Sequence, residues 1–346
     1  MPGGIIHAAH GKTMGTTWSL KYVAVKSMDE ALVTAGVERR LAEVIDQMST
    51  WQASSNLSRF NAAPAGSRHV LPPEFFRVLQ CALQVAEQSG GAFDPGAGAL
   101  VNAWGFGPTN RYDEAGFEAP SPDAVEKARA AGGWQRVELD EASRTALQRG
   151  GVHLDFSAIA KGFAVDHVAA YLRGLGIADS LVEIGGELRG AGIKPDGQPW
   201  WVALEQPPTR DSDASDRQSL SVHHDAKTRP PQSENASALT ETVVALHELS
   251  VATSGDYRRF HMQGGTRRSH TIDPRTGLPI DASLASVTVL HRDCMLADAW
   301  STALGVLGAE RGLEVARERD LPALFVTRTA TGFMERMSEP MQALLA

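Results

Sequence analysis

Residues 29–48 form the segment that most constrains the fold of this chain. Apolar side chains recur there at helical spacing, which predicts a long amphipathic helix with one buried face. They are Leu32, Val33, Val37, Leu41, Val44, Ile45 and Met48. The chain has 346 residues, of which 42% are hydrophobic and 21% charged, so it can bury a core as one large or two modest domains.

Further helices and strands follow in a mixed order. Helical patterns cover residues 72–89, 295–307 and 309–319, and Ser121-Pro122 caps a short helix that stops at Gly132-Gly133. Strand patterns cover residues 12–25, 181–192 with a Gly-Gly break, 200–204, 242–246, 283–290 and 323–327, and residues 135–139 and 146–149 predict a hairpin. The glycine-rich residues 93–108 predict a loop with a short helix, either filling space or approaching a ligand.

Composition excludes several classes of protein. The formal charge of -8 and pI near 5.8 argue against a general nucleic-acid binder, and an acidic protein that handles phosphates needs local cations or a metal. Cys81 and Cys294 are too few for a disulfide scaffold and are expected to be buried. No apolar run is long enough for a transmembrane helix. The first ten residues lack signal-peptide character, so we expect a cytoplasmic protein unless a targeting segment is missing.

Residues 206–237 differ from the rest of the chain. Proline, serine, aspartate, glutamine and arginine dominate there and periodicity disappears, which predicts a mobile insertion between strands. His223 and His224 lie within it, and a histidine pair in a polar loop is more often a solvated surface than a metal site.

Three polar motifs lie close together in residues 251–302. In the first, Thr253, Ser254 and Gly255 offer hydroxyls and a flexible backbone at the end of an apolar run, which suits contact with an anion or a nucleotide. In the second, His270 precedes the Asp273-Pro274 turn signal, so imidazole and carboxylate leave the backbone at a bend. Alternatively, His270 merely caps that turn.

The third motif pairs Asp298 with Thr302, one helical turn apart on one face. A carboxylate and a hydroxyl are hard oxygen ligands of the type that Mg²⁺ accepts beside substrate phosphates. A helix cap or a salt bridge is the alternative for Asp298. Residues 157–161 supply a possible anion site, because small residues and Lys161 begin a predicted helix; a solvated lysine is the alternative there.

Taken in order, the motifs resemble those of the ApbE family of flavin transferases. The matching motifs are Met14-Gly-Thr, Phe93-Asp-Pro, Trp104-Gly-Phe-Gly107, Leu154-Asp155, Ala160-Lys-Gly162, Ile184-Gly-Gly186, Thr253-Ser-Gly-Asp-Tyr257, His270 with Ile272-Asp-Pro-Arg-Thr-Gly277, and Ala297-Asp298 with Thr302-Ala303. The resemblance extends over residues 13–308. It implies an α+β fold of two lobes with FAD in the cleft between them.

The resemblance also implies an activity and its site. Such enzymes transfer the FMN half of FAD to a Ser or Thr hydroxyl of a target flavoprotein, which displays a short Asp/Ser-Gly-Ala-Thr/Ser-like sequence, and release AMP. By matching position, the implied Mg²⁺ ligands are Asp298, Thr302, the main-chain carbonyl of Ala158 and a group at Ser301. The implied FAD contacts are Lys161, the backbone at Ile272, Met14 and Asp94, and His270 matches the general base.

General chemistry agrees with these roles. Cleavage of a pyrophosphate by an alcohol needs charge neutralisation on the phosphates and a base of near-neutral pKa, which metal, lysine and histidine supply. An FAD pyrophosphatase and a non-catalytic FAD-binding protein remain alternatives. For domains, we expect an N-terminal tail at 1–12, a single transferase domain at 13–335 and a C-terminal tail at 336–346.

Overall fold

The computed structural model describes residues 4–208, 241–257, 259–263 and 265–346. Its strands are β1 (Ile5–Thr13), β2 (Thr16–Ala24), β3 (Arg68–Val70), β4 (Glu138–Asp140), β5 (Thr145–Leu147), β6 (Ser180–Ile184), β7 (Glu187–Ala191), β8 (Trp200–Ala203), β9 (Val243–Leu246), β10 (Leu249–Gly255), β11 (Phe260–Gln263), β12 (Thr266–Ser269), β13 (Ile272–Asp273), β14 (Leu278–Pro279), β15 (Leu284–His291), β16 (Ala323–Thr329) and β17 (Gly332–Met337). Its α-helices are α1 (Glu30–Met48), α2 (Asn56–Asn61), α3 (Pro73–Gln88), α4 (Gly98–Ala103), α5 (Pro122–Ala131), α6 (Ala160–Gly174), α7 (Cys294–Glu318) and α8 (Glu339–Leu345).

An eight-stranded sheet organises the molecule in the order β1-β2-β6-β7-β10-β15-β16-β17. Every neighbouring pair in it is antiparallel. Helices and antiparallel strands occupy separate layers, so the predicted α+β class is confirmed. The smaller sheets are β3-β5-β4, β8-β9, β11-β12 and β13-β14.

Both faces of the large sheet are covered in its central part. In β16, Ala323 and Phe325 belong to the core beneath the helices, while Leu324 and Val326 belong to a second cluster on the other face. This alternation is the period of a strand with two buried faces. Helix α7 packs on β10 and β15, α6 packs on α7, and α1 packs on α6.

The long amphipathic helix is confirmed as α1. The side chain of Asp29 caps its N-terminus by accepting hydrogen bonds from the backbone N–H groups of Ala31 and Leu32. Its buried residues include Val33, Val37, Leu41, Val44 and Met48, as the apolar spacing predicts, whereas Leu32 from the same pattern is exposed. The cysteines are both free and buried, in agreement with the expectation that they pack in the core.

Several boundaries differ from the predictions. The segment expected to be an N-terminal tail contributes β1, and residues 336–346 complete β17 and form α8. The last predicted strand, β16, is therefore followed by a further strand, β17. The Gly-Gly break predicted within the strand pattern at 181–192 is the turn of a hairpin that connects β6 to β7. The hairpin β11-β12 was not predicted.

The two helices predicted after residue 294 form one element, α7, with a break. Gly308 has φ 76° and ψ 171° within it, so the helical segments are joined at a non-helical glycine. The break lies between the predicted boundaries at 307 and 309.

Other predictions fall wholly or largely outside the described residues. Residues 209–240 are not described, and they include most of the predicted insertion at 206–237 with its histidine pair, His223 and His224. Within the described part of the chain, no helix combines the length and apolar character that a membrane span requires.

Candidate active site

The carboxylate of Asp298 lies where α6 and α7 come closest together. Asp298 is buried, and its Oδ2 accepts a hydrogen bond from the backbone N–H of Gly162 at 3.0 Å. A Cβ atom at Gly162 would lie 2.3 Å from the carbonyl oxygen of Cys294 and 2.8 Å from Cβ of Asp298. Only glycine permits this approach, so the Lys161-Gly162 sequence fixes Asp298 against the first turn of α6.

Lys161 pairs with a second buried carboxylate, that of Glu187. Glu187 opens β7 directly after the Gly185-Gly186 turn, and its Oε1 accepts the Lys161 ammonium. Sequence reasoning missed Glu187 because one acid in a strand usually faces solvent. Its position directly after a Gly-Gly turn was the available signal.

Charge and burial raise the pKa of Asp298 to about 7. The main cause is removal of the carboxylate from water, followed by repulsion from Glu187; Lys161 and the N–H of Gly162 act in the opposite direction. Two buried carboxylates thus act on one another and on the partly buried ammonium of Lys161. The Oε2 atom of Glu187 is also buried without a hydrogen-bond partner. Excess negative charge and an unsatisfied carboxylate oxygen fit a site that accepts a cation.

The remaining predicted metal ligands have different surroundings. Ser301 donates a hydrogen bond from Oγ to the carbonyl oxygen of Asp298 at 2.8 Å, so its hydrogen is used inside α7. Thr302 is partly buried one turn after Asp298, as expected. Ala158 lies in the turn just before α6, which begins at Ala160 and not at Ser157 as predicted. Within the described residues, no group of three or more His, Cys, Asp or Glu side chains is arranged around a metal position.

Met14 belongs to a tight turn near Lys161. Met14 and Gly15 connect β1 to β2 with φ values of 49° and 74°, as a type I′ hairpin turn requires. A Cβ atom at Gly185 would lie 2.8 Å from the side chain of Thr16 and 3.5 Å from Cδ of Lys161. The β1-β2 and β6-β7 turns therefore both lie beside the start of α6.

Asp94 lies in the loop before α4. Its Oδ1 accepts a hydrogen bond from the N–H of Gly96 at 2.7 Å, and burial raises the pKa of Asp94 to about 6. The carbonyl oxygen of Pro95 accepts from the N–H of Asp155 at 2.9 Å. This loop therefore contacts the segment that leads into α6.

The imidazole of His270 contacts a backbone carbonyl and an aromatic ring. Its Nδ1 lies 3.0 Å from the carbonyl oxygen of Arg259, and its ring meets that of Phe106 edge to face at 6.2 Å between centroids. A carbonyl can only accept, so Nδ1 donates its hydrogen in this contact, and in the neutral form of the ring the lone pair lies on Nε2.

Ile272 and the turn after it form a rigid support beside His270. Ile272 is buried in a cluster with Leu100, Trp104, Phe106 and Val125. The indole Nε1 of Trp104 donates to the carbonyl oxygen of Gly277 at 2.8 Å. The predicted turn is confirmed, with φ 73° at Gly277, and Asp273 is held by Arg275 at 2.8–2.9 Å.

The hydroxyl motif ends strand β10. Thr253 shares a hydrogen bond of 2.8 Å with the hydroxyl of Thr288 on β15, and Ser254 follows on the opposite face of the sheet. A Cβ atom at Gly255 would lie 2.4 Å from the ring of Tyr257. The Thr253 hydroxyl is therefore used in a contact between β10 and β15. Residue 255 must be glycine, because a side chain there would clash with the Tyr257 ring.

The structure brings the predicted residues into two groups. One holds Asp298 and Lys161, with the turn of Met14 beside it; the other holds His270 and Ile272. Residues 93–108 connect the groups, because their beginning contacts the segment before α6 and Trp104 contacts the turn after Ile272. A single cleft shared by His270, Asp298 and Lys161 stays a prediction.

The chain is similar to known proteins over nearly its whole length. The model of the ApbE family matches residues 14–325. The FAD:protein FMN transferase of Vibrio cholerae is 36% identical over 100% of this chain and 94% of its own length, and that of Haemophilus influenzae is 35% identical over 96% and 90%. The apo crystal structure of flavinyl transferase ApbE from Pseudomonas stutzeri superposes with a TM-score of 0.83 at 36% identity, covering 99% of this chain and 97% of the other. The chain belongs to the ApbE family.

Proposed function

We propose that this protein is an FAD:protein FMN transferase. It transfers FMN from FAD to a Ser or Thr hydroxyl of an acceptor flavoprotein through a phosphoester bond and releases AMP. The observation that carries the proposal is the buried carboxylate of Asp298, which accepts from the N–H of Gly162 next to Lys161 at the start of α6, in a chain similar over its whole length to such transferases. This arrangement suits a divalent cation next to a diphosphate.

The metal ligands proposed are Asp298, Thr302, the carbonyl of Ala158 and a group at Ser301. Mg²⁺ held by these residues would neutralise charge on the diphosphate of FAD. Ser301 uses its hydroxyl hydrogen within α7, so its oxygen lone pairs are what it has to offer. The chemistry of this donor set, all oxygen, suits Mg²⁺ better than a softer metal.

The protein binds and orients FAD around this centre. Lys161 contacts the phosphates, while Met14, Asp94 and the backbone at Ile272 line the rest of the site. Thr253, Ser254 and Gly255 contribute contacts at the end of β10. The Lys161 side chain is only partly buried, so its ammonium is accessible to a phosphate.

His270 takes the proton from the acceptor hydroxyl. The neutral ring with its hydrogen on Nδ1 has the form that a general base requires, because Nε2 can accept a proton. The acceptor displays an Asp/Ser-Gly-Ala-Thr/Ser-like sequence. Water in place of this hydroxyl would give the pyrophosphatase reaction from the same site.

A labelling experiment tests the proposal. The protein is incubated with FAD, Mg²⁺ and a peptide with the acceptor sequence, and flavin fluorescence is measured after denaturing electrophoresis beside AMP release. We expect covalent label and AMP in equal amounts, and a peptide with alanine at the acceptor position is the control. AMP and free FMN without label would identify a pyrophosphatase, and bound FAD without either product would exclude both reactions.

A further inference from the structure

Glu187 is buried beside the candidate metal site but is not among the residues that the family resemblance assigns to it. Only 2% of its side chain is exposed. The residue pair Ile184–Glu187 closes the β6-β7 turn, whose two glycines have φ values of 62° and 104°. A two-residue turn with positive φ at both positions holds the flanking strands in one register. The position of Glu187 is therefore fixed by the backbone.

The two oxygen atoms of this carboxylate differ in their contacts. Oε1 accepts the ammonium of Lys161, whereas Oε2 is buried without a hydrogen-bond partner. Leaving a carboxylate oxygen unsatisfied in the interior costs free energy. Neutral side chains at such a position are often as stable or more stable, so folding alone does not account for a carboxylate here.

Asp298 contacts the same turn of α6. Lys161 contacts Glu187, and the N–H of the next residue, Gly162, binds Asp298 at 3.0 Å. Two carboxylates thus flank one ammonium, which leaves excess negative charge when both are ionised. A divalent cation would satisfy the free oxygen and offset this charge.

We propose that Glu187 is a residue of the cation site, offering Oε2 to the divalent metal beside Asp298 while Oε1 holds Lys161 toward the FAD diphosphate. This inference rests on the proposed function, which supplies the metal and the diphosphate. In the metal-free protein, Lys161 partly neutralises Glu187 and so competes with the metal for it.

The test is a Mg²⁺ titration monitored by the melting temperature, first without FAD and then with it. In Glu187→Gln the side chain keeps its shape but loses its charge. We expect the half-saturating Mg²⁺ concentration to rise roughly 10-fold or more, while the melting temperature of the metal-free protein stays equal or increases. A role that is only structural would lower that temperature and leave the half-saturation point unchanged.

A second variant gives a shift of opposite sign. Lys161→Gln removes the competing cation, so without FAD it should lower the half-saturating Mg²⁺ concentration. Glu183→Gln is the matched control, because Glu183 lies in the same hairpin and accepts hydrogen bonds from Gly186 N–H at 2.9 Å and Ser19 Oγ at 3.0 Å. This control should leave Mg²⁺ half-saturation at the wild-type value.

Each outcome bears on one conclusion. Unchanged Mg²⁺ half-saturation in Glu187→Gln, or a wild-type protein whose melting temperature does not respond to Mg²⁺, overturns the role of Glu187. A wild-type protein that labels its acceptor while Glu187→Gln binds Mg²⁺ normally leaves the transferase intact and rejects this inference alone. Mg²⁺ binding through Glu187 without any labelling rejects the transferase alone.

Discussion

His270 is the residue whose proposed role depends most directly on one hydrogen bond. Its Nδ1 is directed at the carbonyl of Arg259, in the chain segment just before β11. The neighbouring carboxylate of Asp273 is held by Arg275. Because Arg275 binds the Asp273 carboxylate, these contacts do not support the alternative that His270 caps the Asp273 turn. The role of His270 as the base is the proposal to test.

Replacing His270 with asparagine should separate chemistry from binding. Asparagine can still donate to the Arg259 carbonyl but has no equivalent of Nε2. We expect the single-turnover labelling rate to fall by roughly 10² to 10⁴, with FAD affinity nearly unchanged. Stopped-flow labelling and fluorescence titration of FAD measure the two quantities. The exposed His247 changed to asparagine is the control, and an equal loss of FAD affinity and rate would contradict the base role.

Asp94 should make the protein less stable as the pH rises. Burial raises its pKa in the folded protein from 3.8 to about 6, so the native state binds the proton more tightly than the unfolded chain. Stability from this group is therefore present below pH 4 and is lost as the pH rises through 6. Asp94→Asn should increase the free energy of unfolding at pH 7 by about 1–3 kcal/mol.

Urea unfolding of Asp94→Asn and wild type at pH 4 and pH 7 checks this sign. The difference should shrink toward zero at pH 4, where the wild-type carboxyl is protonated in the native state. Asparagine retains the oxygen that accepts from Gly96 N–H, so the loop geometry is preserved. A variant less stable than wild type at pH 7 would show that the ionised carboxylate is stabilised there.

At the scale of elements, the contact of α6 with α7 determines the geometry of the candidate site. The approach at Gly162 leaves no space for a side chain, since the obstructing atom is a backbone carbonyl oxygen, that of Cys294. The beginning of α6 therefore cannot move relative to Asp298 without changing the core.

Gly162→Ala should both destabilise the protein and reduce its activity. The added methyl group must push α6 from α7, which typically costs about 1–3 kcal/mol, and it moves Lys161 away from Asp298. Urea unfolding and the labelling assay measure the two effects. Gly174→Ala at the other end of α6 is the control, because a Cβ atom there meets nothing within 4 Å. Equal stability of the two variants would contradict the packing argument.

Elements with strong local signals were predicted well, and the site elements less so. The periodic apolar face of α1 and its Asp29 cap determine that helix locally. Helix α6 begins later than predicted because Ser157–Ile159 form a turn, and Asp155 just before this turn is bound to the distant loop at Pro95. Glu187 could not be assigned from sequence, because its pairing with Lys161 depends on the register of a sheet.

At the scale of the whole molecule, the large sheet includes N-terminal residues that the sequence analysis assigned to a tail. Strand β1 pairs with β2 over its full length, from Ile5 opposite Ala24 to Thr13 opposite Thr16. Gly11 packs on the indole ring of Trp18. Sequence reasoning treated residues 1–12 as a tail because an edge strand with one exposed side has a weak hydrophobic pattern.

Deleting residues 1–12 should therefore lower the melting temperature and promote association. The deletion removes the partner of β2 and leaves a long unpaired strand edge, which favours edge-to-edge pairing between molecules. Deleting residues 1–4 leaves β1 intact and is the control. Thermal unfolding and size-exclusion chromatography distinguish the two, and identical behaviour of both deletions would mean that β1 contributes little.

The β6-β7 turn limits how many residues can connect these two strands. Successive strand residues point to opposite faces, so inserting a single residue between Gly186 and Glu187 would move every side chain of β7 to the other face of the sheet. The acid would then point away from Lys161, and the inserted residue would take its place opposite Ile184. Relatives and engineered variants should tolerate substitution at the surface of this hairpin far better than a change in the number of residues in its turn.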